Sequence, residues 1–451
     1  MNNEFYEKAT VENGVLLRYP LSDESQVNIP EGITKIAKNA FQDSCALDTI
    51  TLPNSVFEIE PNAFNNCCSI EKFIISPEHP HFTFDGEALF NKDKTCLIWA
   101  MPVLEDHYEI PDTVTTIAES AFDFCSITSV AIPGNVKVIG KNAFDCCELE
   151  TVTIMDGVTT IETDAFSSCS DLTELVIPDS VTAIGWGAFS HCEGLTTIAL
   201  PRGLTAIKGH TFSFCHELSA INIPEGVTHI DNRAFVGCNS LTDITIPNTV
   251  TSIGEGVFED CHKLTSVTIP QGITVINKNL FRNCGNLQDV KLPDSVTEIG
   301  KEAFYHCSEL TTLALPKNLT TIGASAFAHS GLTSIRIPNH ITAIGYGAFW
   351  NCSALTELVF PDSITTIDAS AFELCHNLTK VTIPPSVTAI GDWEDFDHTK
   401  PTICAIPGSF AWKWAEEHGF PTEAFKPQPG FCPHCGSKLK GLFFKKCPHC
   451  K

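Results

Sequence analysis

One phrase of about 23 residues recurs along most of this chain and limits what the chain can fold into. A copy begins with a strand-like run ending in Ile-Pro, continues as Val-Thr-x-Ile-Gly and closes as Ala-Phe-x-x-Cys-x-x-Leu; one full copy runs from Ile177 to Leu195. A copy this short cannot bury its own apolar face, so stacked copies must share a core, as in a solenoid. The phenylalanine recurs every 22 or 23 residues, with one longer gap, at Phe41, Phe64, Phe122, Phe144, Phe166, Phe189, Phe212, Phe235, Phe258, Phe281, Phe304, Phe327, Phe349 and Phe372.

Each copy is predicted to contribute two short strands. Within Leu241–Pro247, Ile244 and Ile246 alternate with polar residues, which is the period-two pattern of a half-buried strand. Pro247 ends that strand because it has no N–H to give to a ladder. Val250–Gly254 predicts a second extended piece that closes with a glycine turn. We expect the strands of successive copies to stack in parallel, roughly 4.8 Å apart, in about fifteen turns.

The repeat resembles the BspA-like class of leucine-rich repeats from about residue 28 to about residue 395. This resemblance implies a mainly β fold, a curved solenoid of parallel strands, with a role in adhesion or protein binding rather than catalysis. Known members of the founding type are secreted surface proteins. The predicted segments are an N-terminal cap (1–27), the repeats (28–398) with an irregular insertion (73–110), a strand–helix–strand cap of the family's type (399–425), a linker (426–430) and a separate tail (431–451).

Twelve of the 21 cysteines share one place in the repeat, three residues after the phenylalanine. A buried free cysteine behaves as a small hydrophobe, so this cysteine ladder is predicted to be a row of packing residues. Two alternatives stay open: a run of disulfides, whose dihedral in-register side chains fit poorly, and a set of metal or redox sites shared with nearby histidines. We interpret these histidines as exposed turn residues: His191, His216, His262, His306, His329 and His376.

Four further cysteines form two C-x-x-C pairs in the tail, separated by eleven residues: Cys432, Cys435, Cys447 and Cys450. Each short loop lets two sulfurs reach one ion, and four thiolates complete a tetrahedron with no open position for a catalytic water. The segment resembles a short zinc ribbon, which implies one structural Zn²⁺ ion. A dithiol redox pair is the main alternative interpretation.

Charge and hydropathy limit the classes of partner and the cellular location that the sequence supports. The net charge of −26 disfavours general binding to nucleic acids or anionic membranes. Residues 1–18 lack the basic start and apolar run of a signal peptide, and no segment reaches the roughly 20 apolar residues of a membrane span. The protein is therefore predicted to be cytoplasmic, with a surface location as the alternative. Only the tail is basic, through Lys438, Lys440, Lys445, Lys446 and Lys451.

The outward side of the longer strands is the predicted site for a protein partner, because long strands line one broad face of a solenoid. Trp186, Tyr346 and Trp350 lie nearer the turns and are candidate anchors at its rim. The alternative is that these polar residues merely suit exposed strand positions. The candidate contact residues, chosen by strand alternation, are Glu174, Asn222, Asp243, Asp289, Lys291, Arg336, Glu357 and Lys380.

Sequence motifs of common enzymes are missing: there is no P-loop, no G-x-S-x-G and no H-E-x-x-H. The sequence thus favours a non-catalytic, protein-binding scaffold with a structural zinc ribbon. The alternatives are an exported surface adhesin, a zinc-ribbon adaptor for nucleic acids and an enzyme without a familiar motif.

Overall fold

The computed structural model describes residues 3–102, 104, 106–393 and 400–425. It confirms the mainly β fold class and contains about 17 solenoid turns, slightly more than the fifteen expected. The chain divides into two compact units, Met1–Gly226 and Val227–Lys451. In each unit, a repeat supplies one longer strand before its Ile-Pro, called here the face strand, and one short strand at Thr-x-Ile.

The first unit stacks both kinds of strand in parallel. For example, Ser129–Ile132 pairs in register with Thr151–Ile154, and Val138–Ile139 pairs with Thr160–Ile161. The face strands are Gln26–Asn28, Thr49–Leu52, Lys72–Ile75, His107–Glu109, Ser129–Ile132, Thr151–Ile154, Glu174–Val176, Thr197–Ala199 and Ala220–Ile221. The short strands are Lys35–Ile36, Glu58–Ile59, Thr116–Ile117, Val138–Ile139, Thr160–Ile161, Ala183–Ile184 and Ala206–Ile207.

The second unit repeats this arrangement, and its pairs are again parallel. Its face strands are Asp243–Ile244, Ser266–Thr268, Asp289–Lys291, Glu357–Val359 and Lys380–Thr382. Its short strands are His229–Ile230, Ser252–Ile253, Val275–Ile276, Glu298–Ile299, Thr321–Ile322, Ala343–Ile344, Thr366–Ile367 and Ala389–Ile390. Between residues 312 and 337 the face ladder loosens, and Arg336 makes only an isolated parallel bridge to Val359.

A turn segment around each phenylalanine closes the coil. The sequence analysis did not predict it. Its backbone N–H groups donate to the next coil, as Asn142 does to the Thr163 carbonyl at 3.0 Å and Cys146 to the Ser167 carbonyl at 2.9 Å. The residues two before and two after the phenylalanine have positive φ, for example 54° at Asn142 and 56° at Cys146. This left-handed conformation favours Gly, Asn and Asp, which explains why these residues recur beside the Ala-Phe.

The core of each unit is a column of phenylalanine rings. In the first unit Phe144 stacks on Phe166 with centroids 5.1 Å apart and planes 2° from parallel. In the second, Phe258 lies 5.8 Å from Phe235 and 5.7 Å from Phe281. These rings are fully buried, so each coil gains ring contacts on both sides in addition to its buried apolar area.

The N-terminal residues cover the first coil. The helix Asn3–Lys8, which the sequence analysis missed, precedes an antiparallel pair, Thr10–Glu12 and Val15–Arg18. The second strand of this pair runs parallel to Lys35–Ile36, as a capping strand should. Phe5 and Tyr19 extend the phenylalanine column to its end, with centroids 5.6 Å apart. The cap therefore shields both the backbone ladder and the ring column.

The irregular insertion is a small antiparallel sheet of Phe82–Phe84, Ala88–Asn91 and Cys96–Ala100. Its last strand pairs in parallel with Thr116–Ile117, so it also restarts the ladder of short strands. His79 is fully buried and binds the Pro53 carbonyl at 2.9 Å through Nε2, which ties the insertion to the coil before it.

The second unit ends in the strand Thr402–Ala405, the helix Phe410–Glu417 and the strand Thr422–Ala424. Ser409 caps the helix by accepting a hydrogen bond from the Trp412 N–H. Trp414 of this helix packs 4.5 Å from Trp393, whose ring meets Phe372 of the column at 4.0 Å. The cap thus closes the apolar column at this end as well.

Candidate protein-binding face

Strand alternation points the candidate residues of the first unit to solvent. Glu174 is exposed on its strand, while the neighbouring Leu175 is buried. Glu174 lies beside Thr197 of the next coil in a parallel pair. Asn222 is exposed between two buried isoleucines of its own coil. Both residues therefore face solvent.

In the second unit three consecutive face strands align Asp243, Ser266 and Asp289 in one outward row. Lys291, two residues beyond Asp289, also faces outward and lies 3.7 Å from its carboxylate. Both side chains of this ion pair are well exposed, so it contributes little to folding stability and stays available to a ligand.

Farther along the second unit, the face positions bring together three charged side chains and one apolar side chain. Glu357 lies directly beside Lys380 in a parallel pair, and Arg336 bridges to Val359. Lys380 is half-buried and binds Glu423 at 2.8 Å, and this hydrogen bond raises the pKa of Lys380. We call Arg336, Glu357, Val359 and Lys380 the 336–380 patch.

Two outward valines were missed by the sequence analysis. Val176 is 70% exposed and Val359 is 57% exposed, although each ends a face strand between buried neighbours. The signal was present, because each lies two residues after a glutamate already assigned to the outward side, and period two places them together. The face is therefore less uniformly polar than its threonines and serines indicate.

Many threonines next to this face have an internal role. The Thr196 hydroxyl donates to the Thr173 carbonyl at 2.9 Å, and Thr265 donates to the Thr242 carbonyl at 3.0 Å. Each such bond joins one coil to the preceding coil. The abundance of threonine is thus partly structural, through hydrogen bonds that the sequence analysis did not predict.

The aromatic candidates lie on the turn segments. Trp186 and Tyr346 are exposed, whereas Trp350 is half-buried and packs edge-on against His329 at 4.6 Å. His329 in turn stacks on His306 at 4.1 Å, and burial lowers the pKa of both histidines. These two histidines have left-handed backbone and lie in the turn segments of their coils.

The cysteine ladder is buried, and its thiols have a bonding role. Cys284 donates to the Phe258 carbonyl at 3.0 Å, and Cys192 donates to the Phe166 carbonyl at 3.1 Å, each in the preceding coil. Burial raises the pKa of Cys192 to about 12. A cysteine here both fills space and satisfies a buried carbonyl. Ser330, which replaces it in one coil, is also buried, and its hydroxyl lies 3.3 Å from the Cys352 thiol.

The described cysteines carry no disulfide; all seventeen are free thiols. Within the same described ranges, no three His, Cys, Asp or Glu side chains are grouped so as to hold a metal ion. No helix in this part of the chain combines the length and apolar character that crossing a membrane requires. The predicted zinc ligands Cys432, Cys435, Cys447 and Cys450, together with the linker at 426–430, lie outside the described residues.

We expect brief alkylation of the native protein near neutral pH to label the exposed Cys45 and Cys68 and to spare the ladder cysteines. Solvent access and thiolate formation are both suppressed in the ladder, because burial raises the pKa of thiols such as Cys147 and Cys215 well above the ordinary value. Peptide mapping by mass spectrometry measures the labelling, with the protein unfolded in guanidinium as the control. Labelling of Cys147 as fast as Cys45 would contradict the packing role.

A family model described as "BspA type Leucine rich repeat region (6 copies)" matches residues 21–96, 105–218, 159–288 and 274–399. No curated protein matches the chain.

Several solved structures are similar. One is a leucine rich cell surface protein from Faecalibacterium prausnitzii A2-165, 28% identical, covering 81% of this chain and 100% of that one, with a TM-score of 0.49. Another is a leucine-rich repeat protein from Bacteroides ovatus, 24% identical, covering 93% and 96%, also with a TM-score of 0.49. The pneumococcal vaccine antigen PcpA is 16% identical over 93% of this chain and 96% of its own, with a TM-score of 0.43.

Proposed function

The chain belongs to the BspA-type leucine-rich repeat family, and from this membership we propose that it is a non-catalytic scaffold that binds another protein on its face strands. The 336–380 patch is the observation that carries the proposal. An exposed aliphatic side chain, Val359, lies there beside the exposed Arg336. Glu357, on the same strand as Val359, lies beside Lys380 of the next face strand. An apolar centre with charged neighbours is the composition of a protein-binding site.

The double change Arg336→Glu and Val359→Asp is expected to reduce partner binding at least about tenfold, since central interface residues carry most of the binding energy. Both side chains are exposed, so folding should be preserved. The measurement is quantitative affinity capture from native lysate, followed by titration of the captured protein. Lys317→Glu is the matched control, because this exposed lysine lies in the same unit outside the patch.

A truncated chain that ends at Lys426 shows whether a partner binds the face strands or the tail. A partner retained by this version but lost with the double change supports the face as the binding site. A partner that binds the double variant as well as the unchanged protein contradicts the proposal, and one lost with the tail assigns binding to residues 427–451.

We further propose that the tail binds one structural Zn²⁺ through Cys432, Cys435, Cys447 and Cys450. The support is the donor set: four cysteines in two C-x-x-C pairs are the ligands and spacing of closed tetrahedral zinc sites. The ion would supply most of the folding free energy of a segment too short for a core. The five lysines of the tail offer limited support for nucleic-acid contact, which remains the lesser alternative.

The many free thiols favour a reducing compartment, and hence a cytoplasmic scaffold over an exported adhesin. Zinc ligation by thiolates likewise requires reduced cysteines. The location, cysteine oxidation and zinc content of protein isolated from its natural source distinguish the two. Surface exposure with oxidised cysteines supports the adhesin. Reduced cysteines and bound zinc support the cytoplasmic scaffold.

A further inference from the structure

A histidine occupies one core position of the repeat at the start of the insertion. In regular coils the third residue after the Ile-Pro proline is aliphatic and fully buried, as Val56 and Val114 are. His79 takes this position in the coil where Ser76 replaces the proline, and it is equally inaccessible to solvent. Its N–H donates to the Ser76 carbonyl at 2.8 Å, as the Val56 N–H does to the Pro53 carbonyl at 3.2 Å. An ionisable ring thus lies where the repeat otherwise has a hydrocarbon side chain.

Both nitrogens of the His79 ring have partners within the protein. Nε2 lies 2.9 Å from the Pro53 carbonyl of the preceding coil. Nδ1 accepts from the backbone N–H groups of His81 at 3.2 Å and Phe82 at 3.0 Å, where the insertion sheet begins. A nitrogen beside a carbonyl must donate and one beside two N–H groups must accept, so these contacts fix the neutral tautomer with its hydrogen on Nε2. The neutral ring therefore joins the insertion to the coil before it.

A second proton on this ring is incompatible with these contacts. It would place an N–H at Nδ1 against two N–H donors and leave both of them buried without an acceptor. Burial lowers the pKa of His79, because the charged ring would lose its hydration. The Pro53 carbonyl and the Glu31 carboxylate oppose this shift only in part, and His81 and Lys92 add to it. Glu31, His81 and Lys92 are the ionisable groups that act on the ring in the described part of the chain.

The insertion that His79 ties down covers part of the aromatic core. Phe73, which is 4% exposed, lies 5.6 Å between ring centroids from Phe84 of the first insertion strand and 5.6 Å from Trp99 of the last. Phe64 of the ring column also meets Trp99 at 5.6 Å. Separating the insertion from the preceding coil would therefore expose apolar side chains that are buried in the closed form.

We propose that His79 is a proton-sensitive clasp, which holds the insertion on the preceding coil while its ring is neutral and releases it when the ring is protonated. In the open form the ring reaches water and titrates near the ordinary pKa of about 6.5, whereas the closed form resists protonation. The closed form therefore has its full stability above about pH 6.5 and loses stability as the pH falls below that value. The clasp belongs to the first unit and does not depend on the function proposed for the 336–380 patch.

The test is hydrogen exchange of the full chain at pH 7.5 and pH 5.5, measured by mass spectrometry and corrected for the intrinsic pH dependence of exchange. Amides of residues 80–100 should exchange about tenfold faster at pH 5.5, because the open form gains roughly a factor of ten per pH unit below the ordinary pKa. Residues 194–209 of the same unit contain no histidine and no carboxylate, and their corrected exchange should not change.

Two variants assign the response to one ring. His79→Asn removes the titration, while the amide oxygen can still accept from the N–H groups of residues 81 and 82, as in an Asx turn. Exchange of the insertion in this variant should be the same at both pH values after correction. His81→Asn is the matched control, because it makes the same change in an exposed histidine two residues away. This control should keep the full pH response.

An NMR titration of histidine-labelled, unchanged protein tests the ring directly. The ring signal that is missing from His79→Asn belongs to His79, and it should show the tautomer with its hydrogen on Nε2. It should stay neutral at pH 6, where an exposed histidine is mostly protonated. The proposal is overturned if this signal titrates like an exposed histidine, or if residues 80–100 exchange equally at both pH values. It is also overturned if His79→Asn keeps the pH response or if His81→Asn abolishes it.

Discussion

Replacing Phe258 by alanine is expected to destabilise the second unit by about 3–5 kcal/mol, the range for deleting a fully buried phenylalanine. The ring is completely inaccessible to solvent and lies between Phe235 and Phe281, each less than 6 Å away between centroids. Its loss leaves a cavity that neighbouring coils cannot fill, because their spacing is fixed by backbone hydrogen bonds. One substitution therefore removes the ring contacts of two coil junctions.

Equilibrium denaturation gives the size of this effect, and hydrogen exchange shows where it acts. A stacked-repeat protein can unfold in parts, so amides of the coils around Phe258 should exchange fastest. Phe410→Ala is the matched control: this phenylalanine of the capping helix is 43% exposed, and its loss should cost less than about 1 kcal/mol. A loss of stability at Phe258 no larger than that at Phe410 would show that the ring column does not hold the coils together.

The sequence predicts this column because repetition removes the ambiguity of short apolar runs. A single Ala-Phe is uninformative, but a phenylalanine at constant spacing must occupy equivalent positions in successive coils. The same reasoning, with period two, places residues such as Glu174 and Asp289 outward, and both are exposed. What repeats regularly was thus predictable without knowledge of the tertiary structure.

The features that depend on contact between coils were not predictable in this way. Left-handed backbone at Cys146 or His306 is imposed by hydrogen bonds to the next coil and contradicts the preferences of these residue types. The thiol donor of Cys284 needs a carbonyl that lies 26 residues earlier in the chain. An open cleft lined by Asn62, Trp99 and Ser120 arises where the insertion interrupts the repeat, so no periodic pattern describes it.

The 336–380 patch could be predicted only in part. Alternation places Glu357 and Val359 on the outward side of one strand, but their neighbours come from other coils. Arg336 reaches Val359 through an isolated bridge in the part of the ladder where regular strands are lost. Repeat spacing predicts which coils are adjacent, whereas the loosening of the ladder depends on packing that a single sequence does not reveal.

Removing zinc from the tail is expected to have the largest effect, a loss on the order of 10 kcal/mol of folding free energy for residues 431–451. A segment of this length has almost no core, so it should unfold when the ion is chelated, while the two repeat units keep their melting transitions. The protein as purified should contain about one zinc ion per chain, measured by atomic emission spectroscopy. Chelation should then make the tail sensitive to limited proteolysis.

Cys432→Ser should abolish both the zinc content and the protease resistance, because a tetrahedral site that loses one of four thiolates binds the ion far more weakly. Cys45→Ser is the matched control, since it removes an exposed cysteine from the first unit and should change neither. Zinc-free protein with an intact tail would contradict the proposal. A disulfide between Cys432 and Cys435 that forms reversibly in such protein would support the dithiol alternative, because four thiolates committed to one ion cannot also exchange electrons as a pair.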